Sequence, residues 1–307
     1  DHRDLHLSLR RQRQMCIRDR NKDYSITDDQ KHALKEDGIV KLPGLIDSSL
    51  LKELNKCFDW SISNHGPIAS FSKINNSDED ISFVDNGNPD AKQMYDNLIA
   101  RSGFGSVIAE LWNSKYVGYF AEEIFWKKGK TGPTVWHQDT AYQPWRGEHW
   151  CNLWIPLVGM DSEQSIQIVK ESHKGIQYDG TLFDPYNPTQ PLWGENGNFP
   201  RLPNISSDLK KNPNSWDIVS FEVESGDAVV LHPHCLHRGG GTSDTLPERK
   251  NIVFRFFGDK GYYSDHLPKT KSMFELKPIP SAKGGYLEDG DLFRPTDMIT
   301  VFESGKI

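Results

Sequence analysis

Apolar and polar positions change rhythm once along this chain, near residue 115. Before that point apolar residues recur at helical spacing. In DSSLLKELNKCFDW (47–60), Leu50, Leu51, Leu54 and Phe58 fall on one helical face. SITDDQKHALKEDG (25–38) sets Thr27 three residues before Gln30, a capping-box pattern, and ends at Gly38. NPDAKQMYDNLIARSG (88–103) carries Pro89 near the predicted helix start and Gly103 past its end, and GSVIAELWN (105–113) predicts another short helix. After residue 115 come short runs of branched and aromatic residues: YVGYFAEEIFWK, TVWHQD, CNLWIPLVGM, SIQIVK, WDIVSFEV, DAVVLH and NIVFRFFGD. Each is bounded by Gly, Pro, Asp or Ser, as strands are. Many short strands with few helices between them predict a mainly β, α+β domain. Its expected form is a jelly-roll barrel, or double-stranded β-helix, with the N-terminal helices packed outside. Residues 175–215 break the rhythm: they are rich in proline, nearly aperiodic, and carry Phe183, Tyr186, Trp193 and Phe199. A long loop with that aromatic content is expected to be an ordered lid.

Composition narrows the picture. A β-rich unit of this length is compatible with one domain, here residues 21–307. The first twenty residues hold six arginines and three aspartates, so they carry +3, and the remainder of a chain of net charge −7 carries −10. They have no apolar core of a secretory signal and read as a disordered or artefactual leader. An acidic remainder disfavours a nucleic-acid partner. No run of apolar residues is long enough to span a bilayer. The four cysteines form no C-x-x-C pair, which fits a reducing, cytoplasmic setting without a thiolate zinc site.

Two clusters carry candidate chemistry. His137 and Asp139 in TVWHQD stand two apart, so on a strand both face the same side. Alone, an H-x-D is a weak signal. VVLHPHCLHRGGG (229–241) adds His232, His234 and His237. One further imidazole beside an H-x-D completes a two-histidine, one-carboxylate facial triad, which leaves positions open on iron(II). His232 and His234 share strand parity, so an H-x-H pair of cupin type is the alternative. Pro233 and Gly239–Gly241 favour a strand ending near His237, at a barrel mouth, and His237 is the preferred ligand. The chain then returns as RKNIVFRFFGD, and a hairpin would set Arg249 near His237, with Arg255 roughly 20 Å further along the strand. A guanidinium beside an open iron site suits the far carboxylate of a 2-oxo diacid.

Together these blocks resemble the phytanoyl-CoA dioxygenase family of iron(II)/2-oxoglutarate oxygenases, over most of residues 25–268. WHQDTAY, VKESHKG, GDAVVLHPHCLH and RKNIVFRFFGD each look like a family segment. The resemblance implies a double-stranded β-helix, with His137, Asp139 and His237 on iron and Arg249 on the oxoglutarate carboxylate. It also implies Trp154 in CNLWIP and Lys127 in IFWKKG as co-substrate contacts. The chain departs from the family at Gly241, where Asn is frequent, at Glu171, where Gly is frequent, and in lacking an Asn-Gly turn in MDSEQSIQ. These departures leave the triad intact.

The expected activity is hydroxylation of an unactivated C–H bond of a small molecule, consuming Fe(II)-bound 2-oxoglutarate and O2 and releasing succinate and CO2. Halogenating relatives carry a small residue where Asp139 stands, so a carboxylate there implies hydroxylation. Thr140, Tyr142, Trp145 and Arg146, with Trp193 from the lid, are the expected substrate contacts. The rival readings are a non-oxidative cupin-like metalloenzyme of isomerase type and a catalytically idle jelly-roll binding protein. Arg249 speaks against both.

Overall fold

Helix limits follow local capping chemistry. In α1 (Asp28–Asp37) the Thr27 side chain accepts from the Gln30 amide, the Gln30 side chain accepts from the Thr27 amide, and Gly38 closes the helix at φ 83°. In α2 (Ser48–Ser63) Asp47 caps the start, Leu50, Leu54 and Phe58 are buried, and Leu51 is half-buried. α3 (Lys92–Ser102) and α4 (Phe104–Trp112) meet at Gly103, and α5 (Ile205–Lys211) comes much later. This computed structural model describes residues 24–73, 79–268 and 278–305. The leader predicted at residues 1–20 lies outside the described residues.

In chain order the strands are β1 (Ile39–Leu42), β2 (Ser70–Lys73), β3 (Ile81–Asn86), β4 (Tyr116–Lys128), β5 (Trp145–Arg146), β6 (Trp150–Pro156) and β7 (Ile166–Val169). They continue as β8 (Ile218–Ser220), β9 (Ala228–Leu231), β10 (His237–Gly239), β11 (Glu248–Phe257), β12 (Tyr262–Tyr263) and β13 (Ile299–Glu303). An eight-stranded antiparallel sheet runs β1-β9-β6-β11-β4-β3-β2, with β13 on β4, and a three-stranded sheet runs β10-β7-β8. Strand alternation sorts the large sheet's side chains into two faces. Ile252, Phe254 and Phe256 of β11 pack with Leu153, Ile155 and Tyr119 against Leu54, Phe58, Tyr95 and Phe104 of the helices. Val253, Trp154 and Val229 face the other way and share a core with Ile166 and Ile168 of the small sheet. The result is a mainly β protein of antiparallel sheets, with the four N-terminal helices on the outer face of the large sheet, an arrangement consistent with a jelly roll. No helix among the described residues is long and apolar enough to cross a membrane.

The structure corrects three local expectations. TVWHQD forms no regular strand: His137 makes an isolated bridge to His237, and Asp139 already opens a 3-10 turn, Asp139–Ala141. DAVVLH stops at Leu231, where Pro233 has no amide to extend a ladder. The chain turns there, with the Cys235 amide donating to His232 O at 2.9 Å, and His237 opens a strand in the other sheet instead of ending this one. The expected hairpin between the His237 and Arg249 segments does not form, because β10 pairs with β7 while β11 lies between β6 and β4. Residues 175–215 also divide. Leu202 and Ile205 pack with Trp136, Val169 and Leu236, on the side of the small sheet opposite Ile168. The earlier part of the segment reaches His137.

Candidate metal centre

His137 and His237 are joined by reciprocal backbone bonds, each amide donating to the other's carbonyl at 3.0 and 2.9 Å. Their ring centroids stand 4.3 Å apart. The Asp139 amide donates to Pro233 O at 2.9 Å, which ties the turn after His137 to the turn before β10. Asp139 Oδ1 lies 3.5 Å from Nε2 of each histidine, and the three ligand atoms fall within 4.8 Å of one another. Among the described residues no other trio of His, Cys, Asp or Glu converges in this way.

Hydrogen bonds orient all three groups. His137 Nδ1 lies 2.9 Å from Val135 O, and His237 Nδ1 lies 2.8 Å from Cys235 O. A carbonyl only accepts, so each Nδ1 carries the proton and each Nε2 offers a lone pair to the gap. Asn152 Nδ2 donates to Asp139 Oδ2 at 2.7 Å, leaving Oδ1 toward the gap. Burial works to raise the Asp139 carboxyl, but His237, His137 and Arg255 together hold it well below its ordinary value. Burial, and next the charge of His137, push His237 down to about 4. Two neutral imidazoles and one carboxylate, all pre-oriented, fit a ferrous ion as a facial triad.

A second arrangement lies beside the triad. Arg249 and Lys127 are cross-strand partners on the inner face, 2% and 6% exposed. Arg249 donates from Nε to Gln164 O and from Nη1 to Asn251 Oδ1, both at 2.8 Å, and its guanidinium carbon stands 5.6 Å from the Trp154 ring centroid. Lys127 Nζ donates to Gly132 O at 2.8 Å, Gly240 O at 3.1 Å and Thr134 Oγ1 at 3.3 Å. All of these acceptors are uncharged. Burial pushes Arg249 down to about 10, while burial and then the charges of Arg249 and Arg238 push Lys127 down to about 7. Two buried cations without a carboxylate are costly to hold, and a dianion would relieve them. Gly239, two residues past His237, lies against this pair: a Cβ there would sit 3.0 Å from Arg249 Nη2. Arg249 therefore approaches β10, two residues past His237, across the interior between the sheets, by a different route from the expected hairpin.

The remaining expected residues scatter. Tyr142 and Phe183 set their rings edge-on to His137, with centroids at 6.2 and 5.1 Å. The Tyr142 hydroxyl accepts from the Thr181 amide at 2.7 Å and donates to Thr181 O at 3.1 Å. Trp193 Nε1 donates to Ala141 O at 2.9 Å, and Arg146 Nη2 donates to Gln177 Oε1 at 2.5 Å. These bonds pin the 175–193 stretch beside the triad. Thr140 turns elsewhere, its hydroxyl 2.7 Å from His234 Nδ1 and its carbonyl 2.9 Å from His266 Nε2. Trp145 is not brought to the triad; it packs with Phe120, Trp150, Phe257 and Phe293 in a separate aromatic cluster. His232 Nε2 lies 3.1 Å from Gly147 O, and His234 Nε2 lies 3.3 Å from Gly175 O, so both rings serve the loop framework. Sequence reasoning did not select Phe183, Asn152, Glu123 or Arg255. Arg255 had a usable signal, since it shares strand parity with Arg249.

The family model described as Phytanoyl-CoA dioxygenase (PhyH) matches residues 34–250. No curated protein matches the sequence. Among solved structures, the epimerase SnoN in complex with Fe3+, alpha ketoglutarate and nogalamycin RO superposes with a TM-score of 0.63 at 15% identity, covering 89% of this chain and 98% of SnoN. The alpha ketoglutarate dependent carbocyclase SnoK from nogalamycin biosynthesis gives 0.59 at 16% identity, over 90% of this chain and 96% of SnoK. EctD from S. alaskensis with 2-oxoglutarate and 5-hydroxyectoine gives 0.57 at 15% identity, over 88% of this chain and 90% of EctD. At such identities these likenesses are of fold.

Proposed function

Because the chain belongs to the phytanoyl-CoA dioxygenase family, we propose that it is an iron(II)- and 2-oxoglutarate-dependent dioxygenase hydroxylating a C–H bond of a small-molecule substrate. The two sheets are then the halves of a double-stranded β-helix barrel, and the setting is cytoplasmic. His137, Asp139 and His237 would hold the iron, and Arg249, with Lys127 and Trp154, the far carboxylate of 2-oxoglutarate. When bound, iron, 2-oxoglutarate and O2 together supply the power to break a C–H bond, with release of succinate and CO2.

The chain's own part is orientation and exclusion of water. Val135 O and Cys235 O hold the ring tautomers, and Asn152 holds Asp139 by one oxygen. Tyr142 and Phe183 cover His137, and the stretch from Gln177 to Trp193 acts as the lid. With a carboxylate at Asp139 a bound iron would have no place left there for a halide, which favours hydroxylation over halogenation. The observation that carries the reading is the Arg249–Lys127 pair: two buried cations with uncharged partners, beside a triad able to bind metal. The test is an anaerobic titration with Fe(II) and 2-oxoglutarate, followed by visible absorption. A charge-transfer band is expected in the native chain and in His234→Ala, and none in His237→Ala. A native chain without the band overturns the reading.

A further inference from the structure

The inner face carries a second charged pair that the reading above leaves idle. Arg255 Nη2 donates to Glu123 Oε2, and Arg255 Nη1 donates to Asn86 Oδ1 at 3.1 Å. Arg255 is 4% exposed, and its Nε is buried with no partner. In register it stands opposite Asn152, the residue that holds Asp139, and Asn152 Oδ1 is likewise buried and unpartnered. The pair therefore lies along the strands from Arg249 and Lys127, next to the metal-binding carboxylate.

Glu123 differs from its partner in one respect: its side chain keeps 17% exposure. Its strand is flanked by β3 and β11, and its neighbour Glu122 is buried on the helix side. Strand alternation turns Glu123 to the face opposite Glu122, the face that carries Arg249 and Lys127 and looks toward the triad. Burial raises its carboxyl most, Arg255 lowers it, and Asp139 and His137 are close enough to act on it in opposite directions. Phe183 and Tyr142 stand at the His137 side, their rings 5.3 Å apart between centroids. The triad thus has aromatic rings beside His137 and polar side chains, Glu123, Arg255 and Asn152, beside Asp139.

We propose that Glu123, steadied by Arg255, anchors the substrate by accepting a hydrogen bond from a substrate hydroxyl, so that the substrates are hydroxylated small molecules rather than plain hydrocarbon chains. The proposal rests on the oxygenase reading. Arg255 already neutralises Glu123, so a neutral donor suits the site better than an ammonium group, which would add an uncompensated charge. The unpartnered Arg255 Nε and Asn152 Oδ1 supply further donor and acceptor capacity for the same polar molecule.

The experiment screens the iron-loaded chain with 2-oxoglutarate against cyclic polyols, their deoxy counterparts and their amino counterparts. Binding is read by thermal shift under anaerobic conditions and turnover by succinate above the uncoupled background. The hydroxylated members are expected to bind and to couple. In Glu123→Gln the amide oxygen would stay on Arg255 and an NH2 would face the cavity, so a donor replaces the acceptor. KM for the best polyol should rise roughly tenfold or more, with kcat changing less. Glu123→Asp, which keeps the charge and withdraws it from the cavity, is read in the same way if the Gln variant does not fold. Equal responses to deoxy members, preference for amino members, no response to any polyol, or an unchanged KM in the variants overturns the proposal. The iron–oxoglutarate band of the unsubstituted chain decides the oxygenase reading separately.

Discussion

Lys127 couples the proposed co-substrate site to pH. In the free protein burial, then Arg249 and Arg238, push its ammonium down to about 7. A bound dianion would favour the charged form and raise that value, so above about pH 7 binding must take up a proton. Affinity for 2-oxoglutarate should therefore fall as pH rises past 7, by up to about tenfold per pH unit. Repeating the anaerobic titration between about pH 6 and pH 9 checks this. Lys127→Met should bind more weakly and lose the slope; an unchanged slope in that variant would assign the proton elsewhere. At this scale the triad was legible because His and Asp carry metal chemistry in their identity, and H-x-D followed by a histidine cluster is a pattern of identities. Phe183 was not legible, because its place beside His137 depends on the path of a loop, nor was Glu123, whose part depends on its neighbours across β4; Arg255 carried only its parity with Arg249. The choice of His237 over His232 and His234 agrees with the converged triad, although the strand-end argument for it does not: that ring belongs to the start of a new strand.

At the level of elements, the glycines after His237 do more than punctuate. Gly240 has no left-handed φ, yet a Cβ there would sit 2.5 Å from the Cα and carbonyl carbon of Gln164 and from Glu163 O. Those are backbone atoms at the approach to β7, and they cannot swing aside. Gly240 also accepts the Lys127 ammonium and donates from its amide to Ser165 O at 3.0 Å. Gly240→Ala should force β10 off β7, destabilise the fold by about 1–3 kcal/mol and weaken 2-oxoglutarate binding. Gly239→Ala meets only the end of the Arg249 side chain and should cost less stability while still disturbing the anion site. Urea denaturation of both variants, with the same titration, separates the two effects; equal destabilisation would refute the backbone argument. Hydrophobic rhythm located the four N-terminal helices and six of the thirteen described strands, β4, β6, β7, β8, β9 and β11, since burial on one face leaves a periodic trace. It did not reveal the passage from β9 to β10, because a chain that changes sheets keeps its apolar run. Nor did it reveal β1 and β3, four and six residues long among helices, or β2, whose residues are exposed and leave no apolar alternation.

Over the whole molecule, acid is the natural antagonist of this fold. Burial is the largest influence on His232, His237 and His149, and it pushes them down to about 3, 4 and 4. An unfolded chain would protonate all three near the ordinary histidine value of about 6.5. Folded values below the unfolded one mean that the unfolded state binds more protons in the window between them. Stability is then complete above about pH 6.5 and is lost as pH falls toward 4, by about 2 kcal/mol per histidine at pH 5. Three such groups together approach the whole stability of an ordinary domain, about 5–15 kcal/mol. The metal-free chain should therefore unfold cooperatively on mild acidification, and iron on His237 should move the midpoint to lower pH by competing with the proton. His149 offers the cleanest check, because its ring stacks on Trp112 at 5.2 Å with planes 4° apart, and its Nδ1 is buried without a partner. His149→Phe keeps a flat ring in that stack and removes the titrating nitrogen. Denaturation at about pH 5 should show the variant about 2 kcal/mol more stable than the native chain, with little difference at about pH 8. A gain of equal size at both pH values would trace the effect to packing and remove His149 from the acid response.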